Sequence, residues 1–199
     1  MLLYNSQISG NCYKVRLLLA HLGVAYERRA VDVVDRKDPR EFLAGLNPAR
    51  RAPTLVLDDG RPLAESNAIL WYFGEGTRFV PEDRYERAQT LQWMFFEQYE
   101  HEPALAVARF LKSYSGRQEV YEARKDELTK RGYRALDAME GHLAEREWLA
   151  GEGMTLADIA LFAYTHVADE GGYSLDGYPA VRAWLERVGS DPGHVPMSA

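Results

Sequence analysis

The first 75 residues alternate between short apolar runs and segments with helical spacing. Leu2-Leu3-Tyr4 predicts a short buried strand, and Tyr26–Val34, which is rich in valine, predicts a second one. Between them lies an amphipathic helix that ends before Gly23, a helix stop signal; its apolar positions are Val15, Leu18, Leu19 and Leu22. A helix between two strands predicts a parallel pair joined by a crossover.

The next segments predict a helix, a hairpin and a further helix. Asp38–Leu46 has the pattern of a short helix. Two short apolar runs, Thr54–Leu57 and Pro62–Ala64, flank an Asp-Gly pair, which is a hairpin turn signal. Ser66 is the predicted N-cap of the helix that follows. The predicted order is β-α-β-α-β-β-α over residues 1–75.

The second half of the chain predicts helices almost throughout. Gly74-Glu75-Gly76 and Pro81 indicate a linker over residues 76–84, and residues 85–199 form a predicted all-helical domain. One long helix is expected from Tyr85 to about Tyr114, with an interruption at Pro103, and another from Gln118 to about Glu145. The fold class is therefore an α/β domain followed by an all-α domain.

Two local signals add detail to this helical half. Thr155-Leu156-Ala157-Asp158 matches a capping box in which Asp replaces Glu or Gln. Tyr178-Pro179 predicts the start of a final helix, because proline is favoured in the first helical turn. No internal repeat interrupts this organisation.

Composition is typical of a soluble globular protein. The 199 residues are 46% hydrophobic and 27% charged, and no apolar run is long enough to predict a membrane span. The N-terminus lacks the pattern of a signal peptide, and a single cysteine excludes an internal disulfide. We therefore expect a cytoplasmic protein with no membrane partner.

Charge is distributed unevenly between the halves. Residues 1–80 carry 11 Lys and Arg against 9 Asp and Glu, whereas residues 81–199 carry 13 against 21. The basic residues of the first half have no interleaved aromatic residues, so no nucleic-acid partner is expected. The basic residues of the first half are concentrated at Arg36, Lys37, Arg40, Arg50 and Arg51. This cluster favours a small anionic ligand; the alternative is that these are ordinary solvated loop charges.

Ser9-Gly10-Asn11-Cys12 lies between the first predicted strand and the first helix. A serine hydroxyl there can donate to a bound thiolate, although ordinary helix capping is the alternative. Lowering a thiol pKa by two units takes about 2.7 kcal/mol, and a charge-assisted hydrogen bond supplies roughly 1.5–3 kcal/mol. Asn11 is a candidate second donor. Cys12 is either a reactive monothiol or a buried, inert one.

Two further segments predict groups that bind a peptide. Pro53 directly precedes a predicted strand and suits a cis bond, which would present the backbone of Ala52 to an extended peptide ligand. Glu65 can accept hydrogen bonds from an ammonium group, and Ser66 at a helix N-terminus can bind a carboxylate. Together the two residues match the head group of one α-amino acid. Ordinary helix capping by either residue is the alternative.

The order and spacing of these segments resemble the N-terminal domain of cytosolic glutathione transferases, bacterial type, with serine at the active-site position. The motifs that carry the resemblance are Ser9 at a strand–helix junction, Arg51-Ala52-Pro53-Thr54 before a hairpin, and Glu65-Ser66-Asn67-Ala68. The segment Thr155–Ile159 is similar to that family's structural capping box, so the resemblance covers essentially the whole chain. It implies a thioredoxin-like, glutathione-binding domain over residues 1–75.

The resemblance implies roles for individual residues. Ser9 would hydrogen-bond the glutathione thiolate, with Asn11 as a possible further donor. Arg51 would face the glycyl carboxylate, and the backbone of Ala52, before Pro53, would pair with the cysteinyl unit. The γ-glutamyl head would be held by Glu65 and Ser66. Ala52 stands where the family usually has valine, which changes little if only the backbone is used.

The resemblance also places a second, electrophile-binding site against the long helix after the linker. Tyr99, Glu102 and Arg109 are candidates for it, and helical spacing leaves open whether they face a cleft or the core. His101 and its neighbouring glutamates lack a convincing metal-ligand spacing, so no metal is expected. Glutathione enters as a co-substrate rather than as a cofactor, and a homodimer is implied.

Three functions follow as hypotheses. The leading one is a glutathione S-transferase that activates the glutathione thiolate through Ser9 for attack on a small electrophile. A second is a glutathione-dependent disulfide reductase or peroxidase at the same site, with Asn11 as a donor and Cys12 as a possible mixed-disulfide partner. The third is a non-catalytic binding protein that kept the fold.

Overall fold

The chain forms two compact units in the computed structural model, which describes residues 1–34 and 41–199. One unit comprises Met1–Thr77 together with Pro192–Ala199, and the other comprises Arg78–Asp191. The last eight residues, which the sequence pattern assigns to the helical domain, therefore pack with the first unit instead. Arg36, Lys37, Arg40 and the predicted helix start at Asp38 lie outside the described residues.

The first unit is built on a four-stranded sheet with the order β2-β1-β3-β4. Strand β1 pairs in parallel with β2 and antiparallel with β3, and β3 pairs antiparallel with β4. The predicted order of elements is confirmed, although β2 is shorter than the Tyr26–Val34 run. The strands are β1 Leu2–Asn5, β2 Glu27–Ala30, β3 Thr54–Val56 and β4 Pro62–Ala64, and the helices are α1 Gly10–His21, α2 Glu41–Ala44 and α3 Ser66–Gly74.

Successive residues of the central strand β1 face opposite sides of the sheet, as the two-residue repeat of a strand requires. Leu3 is fully buried in a cluster contributed by β1, α1, β3 and α3, which includes Leu19 and Ile69. Tyr4 packs on the other side with Val31 and Leu43. Helix α1 is thus fixed against the sheet at the end of β1.

Helix α1 ends where the sequence predicts. Gly23 has φ +64°, a left-handed conformation that costs glycine little and other residues more. The N–H groups of Gly23 and Val24 donate to the carbonyls of Ala20 and Leu19, which closes the last turn.

The second unit is helical. The predicted interruption of the long helix near Pro103 is a π-helical turn, Glu97–His101, which ends two residues before Pro103. Pro103 has no N–H to donate to the carbonyl of Tyr99, four residues earlier, and the guanidinium of Arg131 donates to that carbonyl instead. The elements are α4 Arg84–Phe96, the π-helical turn Glu97–His101, α5 Glu102–Ser113, α6 Gln118–Leu143, α7 Leu156–Thr165, a 3₁₀ turn Ala168–Gly171 and α8 Pro179–Gly189.

The predicted capping box at the start of α7 is confirmed, and it extends into the core of the helical unit. Asp158 is fully buried. Its carboxylate accepts hydrogen bonds from the Thr155 N–H at 2.7 Å and the Thr155 hydroxyl at 2.9 Å. It also accepts from the Leu149 N–H at 3.1 Å and from Trp184 Nε1 at 2.9 Å. One side chain therefore joins the loop before α7, the start of α7 and helix α8.

Across residues 1–34 and 41–199, no helix combines the length and the apolar character needed to cross a membrane.

We predict that Asp158→Ala lowers the free energy of unfolding by roughly 3–5 kcal/mol, because it leaves several buried donors without an acceptor. Urea denaturation of the variant and the wild type measures this loss. Glu152→Ala removes an exposed carboxylate that precedes Asp158 in the chain and is the control, with an expected change within about 0.5 kcal/mol. A loss below about 1 kcal/mol for Asp158→Ala would contradict the structural role of this carboxylate.

Candidate active site

Ser9 is the N-cap residue of α1, with extended backbone angles φ −81° and ψ 119°. Its Oγ accepts a hydrogen bond from the Cys12 N–H at 3.3 Å, as a capping serine does. The side chain lies partly exposed at the start of the helix. Because the oxygen acts as the acceptor in the cap, the hydroxyl proton can be donated to a ligand acceptor such as a thiolate. Capping and thiolate binding are thus compatible in one residue.

A buried guanidinium shapes the loop that leads to Ser9. Arg16 is 2% exposed. Its Nη1 donates to Asn5 Oδ1 at 2.6 Å and to the Ser6 carbonyl at 3.4 Å, and its Nη2 donates to the Gln7 carbonyl at 3.4 Å. Burial lowers the pKa of Arg16 from its usual value. Arg16 thereby fixes the chain between the end of β1 and the start of α1.

The C-terminal segment Pro192–Ala199 is bound by the same region. The Met197 carbonyl accepts from Arg16 Nη2 at 2.7 Å and from Gln7 Nε2 at 2.6 Å. The Tyr13 hydroxyl donates to the Val195 carbonyl at 2.7 Å. These bonds go to backbone carbonyls 181 to 190 residues away along the chain, so no local signal in the sequence indicates them.

Cys12 is fully buried, and its sulfur accepts a hydrogen bond from the Ser6 N–H at 3.3 Å. Burial raises the pKa of the Cys12 thiol, although the hydrogen bond from the Ser6 N–H, the neighbouring Ser9 side chain and the charge of Arg16 oppose this. A buried thiol with a raised pKa is a poor nucleophile. Of the two interpretations that the sequence left open, the structure favours the inert one.

The loop before β3 presents Ala52 and Pro53. The Ala52–Pro53 peptide bond is cis, as predicted. Asn47 is buried and anchors this loop: its Nδ2 donates to the Arg51 carbonyl and to Thr54 Oγ1, both at 3.0 Å. The Arg51 side chain is exposed, so a ligand can reach it. Sequence reasoning missed the anchoring role of Asn47.

The N-terminus of α3 differs from the sequence prediction by one residue. Ser66 is the first helical residue rather than the N-cap, because the carbonyl of Glu65 already accepts the Ile69 N–H at 3.0 Å. Glu65 occupies the N-cap position with φ +66°, a conformation that non-glycine residues rarely adopt. Its side chain is exposed and makes no capping hydrogen bond. The backbone strain at Glu65 is consistent with a functional constraint.

Ser66 and Asn11 come together although 55 residues separate them. The buried Ser66 hydroxyl donates to Asn11 Oδ1 at 3.3 Å, which links the first turns of α3 and α1. Ser66 Oγ in turn accepts from Lys14 Nζ at 3.5 Å, and Lys14 is fully buried. Sequence reasoning missed Lys14. The available signal was a lysine inside the otherwise buried face of α1.

The three candidates for an electrophile site have different environments in the helical unit. Tyr99 is 74% exposed in the π-helical turn, and Glu102 is half-buried at the start of α5. Arg109 is buried: its Nε lies 2.9 Å from Glu170 Oε2 and its Nη2 donates to the Tyr114 hydroxyl at 2.9 Å. Its side chain thus has a structural partner within the unit. The assignment of Tyr99, Glu102 and Arg109 to an electrophile site stays a prediction.

The fold and the site together define a protein with a thioredoxin-like first domain, an all-helical second domain and a polar cluster at the start of α1. The model of the glutathione S-transferase N-terminal domain matches residues 8–75, and that of the glutathione S-transferase C-terminal domain matches residues 103–192. The chain therefore belongs to the glutathione S-transferase family.

Individual relatives are similar to this chain over nearly its whole length. A glutathione S-transferase structure from Pseudomonas fluorescens is 50% identical, with a TM-score of 0.94, and covers 100% of this chain and 98% of its own. The disulfide-bond oxidoreductase YfcG of Escherichia coli is 30% identical over 92% of this chain and 87% of its own. Ure2p in complex with glutathione is 25% identical, with a TM-score of 0.82, over 96% and 95%.

We predict that alkaline pH destabilises the protein, through groups buried along α1. Burial raises the pKa of Cys12 and of Tyr13. In the unfolded chain the thiol and the phenol have ordinary pKa values of about 8.5 and 10, so above these pH values the unfolded chain loses protons that the folded state keeps. Stability is therefore present below these values and is lost as pH rises above them, by up to about 1.4 kcal/mol per pH unit for each group.

Urea denaturation between pH 7 and pH 11 measures this dependence. Cys12→Ala lowers stability overall because it leaves a cavity, but it flattens the decline that begins near pH 8.5. A decline of the same steepness in the variant would contradict a buried thiol whose pKa is raised in the folded state.

Proposed function

We propose that this protein is a glutathione transferase in which the Ser9 hydroxyl stabilises the thiolate of bound glutathione for attack on a small electrophile. Family membership supports glutathione as the co-substrate, and Ure2p, a structural relative, forms a complex with glutathione. The arrangement at the first turn of α1 supports the role of Ser9. A homodimer remains a prediction from the family resemblance.

The observation that carries this proposal is the position of Ser9 at the N-cap of α1. Its oxygen accepts the helix N–H, so its proton is the group that it can offer to a sulfur atom. A hydrogen bond to a charged acceptor contributes roughly 1.5–3 kcal/mol, and the helix N-terminus adds about 0.3–1 kcal/mol. Together these lower a thiol pKa by about one to three units, and a lowering of two units brings it to about 6.5, so that the thiolate is the main form at neutral pH.

The remaining groups of the site suit the rest of the tripeptide. The exposed Arg51 guanidinium is suited to the glycyl carboxylate, and the backbone of Ala52 is suited to pair with the cysteinyl unit. The exposed Glu65 carboxylate is suited to the α-ammonium group, and Ser66 at the start of α3 to the α-carboxylate. A ligand held at both ends positions its sulfur with little remaining freedom.

The reaction then proceeds by simple displacement. The glutathione thiol loses its proton to solvent, and Ser9 donates a hydrogen bond to the resulting thiolate without giving up its own proton. The thiolate forms a carbon–sulfur bond with the electrophile, and the leaving group departs with its electron pair. Proximity and thiolate stabilisation supply the acceleration.

A second candidate, a glutathione-dependent disulfide reductase, has specific support. YfcG, a disulfide-bond oxidoreductase, is similar over 92% of this chain, and Asn11 stands two residues after Ser9 as a possible second donor to sulfur. The bound thiolate would attack a disulfide and release one thiolate. A second glutathione would then resolve the mixed disulfide, so that glutathione disulfide and a second thiol form.

We predict that Ser9→Ala lowers kcat/KM for conjugation of an activated aryl chloride at pH 6.5 by about 10- to 100-fold, because the sulfur loses a charge-assisted donor. Ser9→Thr keeps the hydroxyl and is expected to retain most of the activity. Ser9→Asp keeps a good helix cap but places a negative charge beside the thiolate, so it separates capping from catalysis. Activity of Ser9→Ala within about twofold of wild type would refute the assignment of Ser9.

We predict that Cys12→Ala leaves both aryl chloride conjugation and the reduction of a small disulfide by glutathione within about twofold of wild type, because the buried thiol does not reach the ligand. Steady-state assays of the two reactions on one preparation measure this and also rank the two candidate functions. Selective loss of disulfide reduction in the variant would instead identify Cys12 as a mixed-disulfide partner.

A further inference from the structure

The hydrogen bonds among Lys14, Ser66 and Asn11 have a fixed direction. A lysine ammonium has donors and no acceptor, so Ser66 Oγ is the acceptor in its 3.5 Å contact with Lys14 Nζ. The single hydroxyl proton of Ser66 is then directed outward, and it is donated to Asn11 Oδ1 at 3.3 Å. Lys14 therefore holds the Ser66 hydroxyl as a hydrogen-bond donor.

A hydroxyl held as a donor discriminates between ligands. Its proton binds an acceptor oxygen, whereas Lys14 occupies one of its two lone pairs and leaves only the other for an N–H group. Ser66 is also the first residue of the nine-residue helix α3, where backbone N–H groups and the helix dipole favour negative charge. The positive charge of the fully buried Lys14 adds to this preference, because burial weakens its screening by water. All three effects favour a carboxylate.

We propose that Lys14 is the residue that makes this part of the site select a carboxylate, and that the ligand's carboxylate replaces Asn11 Oδ1 as the acceptor for Ser66. The inference rests on the proposed function, in which Ser66 already meets the α-carboxylate of the γ-glutamyl unit; what it adds is the role of Lys14. Lys14 acts through Ser66 and through its charge, so it is a positioning and specificity-determining residue rather than a catalytic one.

Calorimetric titration of two ligands tests the proposal. One ligand is glutathione, and the other is its analogue with a carboxamide in place of the γ-glutamyl α-carboxylate. Lys14→Met, a neutral side chain of similar length, is expected to weaken glutathione binding by about tenfold or more and analogue binding by less than about twofold. The selectivity between the two ligands therefore falls about fivefold or more, an effect that a purely structural role would not produce.

Two further variants serve as a charge control and as a substitute if Lys14→Met does not fold. Arg61→Gln removes one positive charge from an exposed side chain of the same unit, and it is expected to leave both dissociation constants within about twofold. If circular dichroism shows that Lys14→Met does not fold, Lys14→Gln serves instead, because it keeps a donor and loses the charge.

Equal weakening of both ligands, or no change for either, would overturn the role of Lys14 while leaving glutathione binding by the wild type intact. Failure of the wild-type protein to bind glutathione at millimolar concentration is a different result. It would overturn the proposed function, and this inference with it.

Discussion

The candidate site depends on the buried guanidinium of Arg16. It bonds to Asn5 at the end of β1, to the carbonyls of the following loop and to the carbonyl of Met197. A buried guanidinium is stable only when its donors are satisfied, and here backbone and amide oxygens satisfy them. The loop between β1 and α1 is therefore held in one conformation, and Ser9 follows it directly. The position of the Ser9 hydroxyl is thus determined by contacts behind the site as well as by the helix that it caps.

The polar groups around Ser9 share one chemical character: they are suited to negative charge. Ser9 offers a proton at the N-terminus of α1, and Ser66 offers one at the N-terminus of α3. Lys14 adds a buried positive charge behind Ser66. Cys12, in contrast, is removed from this chemistry by its burial. A thiolate and a carboxylate on one ligand match this arrangement, and glutathione contains both.

The sequence predicted those features that depend on local physical chemistry. Gly23 marks the end of α1 because a left-handed residue closes the helix, and Thr155 with Asp158 forms the capping box because both partners lie within one turn. Features that depend on tertiary contacts were missed or misplaced. Lys14 and Arg16 resemble ordinary charges of an amphipathic helix until their distant partners are known.

The distinction between local and tertiary contacts also explains the other differences between the sequence predictions and the structure. Ser66 has the chemistry of an N-cap, but Glu65 occupies that position, so α3 begins at Ser66, one residue earlier than predicted. The helical spacing around Arg109 did not indicate its partner Glu170, which lies 61 residues away. The C-terminal segment joins the first unit through backbone carbonyls, which carry no side-chain signal. Sequence reasoning thus identified the family and named the residues of the candidate site, whereas the hydrogen-bond network among those residues required the structure.

A crystal structure of the protein with glutathione bound tests the central claim most directly. The account predicts that the glutathione sulfur lies within about 3.5 Å of Ser9 Oγ and beyond bonding distance of Cys12, with the γ-glutamyl carboxylate at the first turn of α3. A sulfur atom bonded to Cys12, or one with no contact to Ser9, would contradict it.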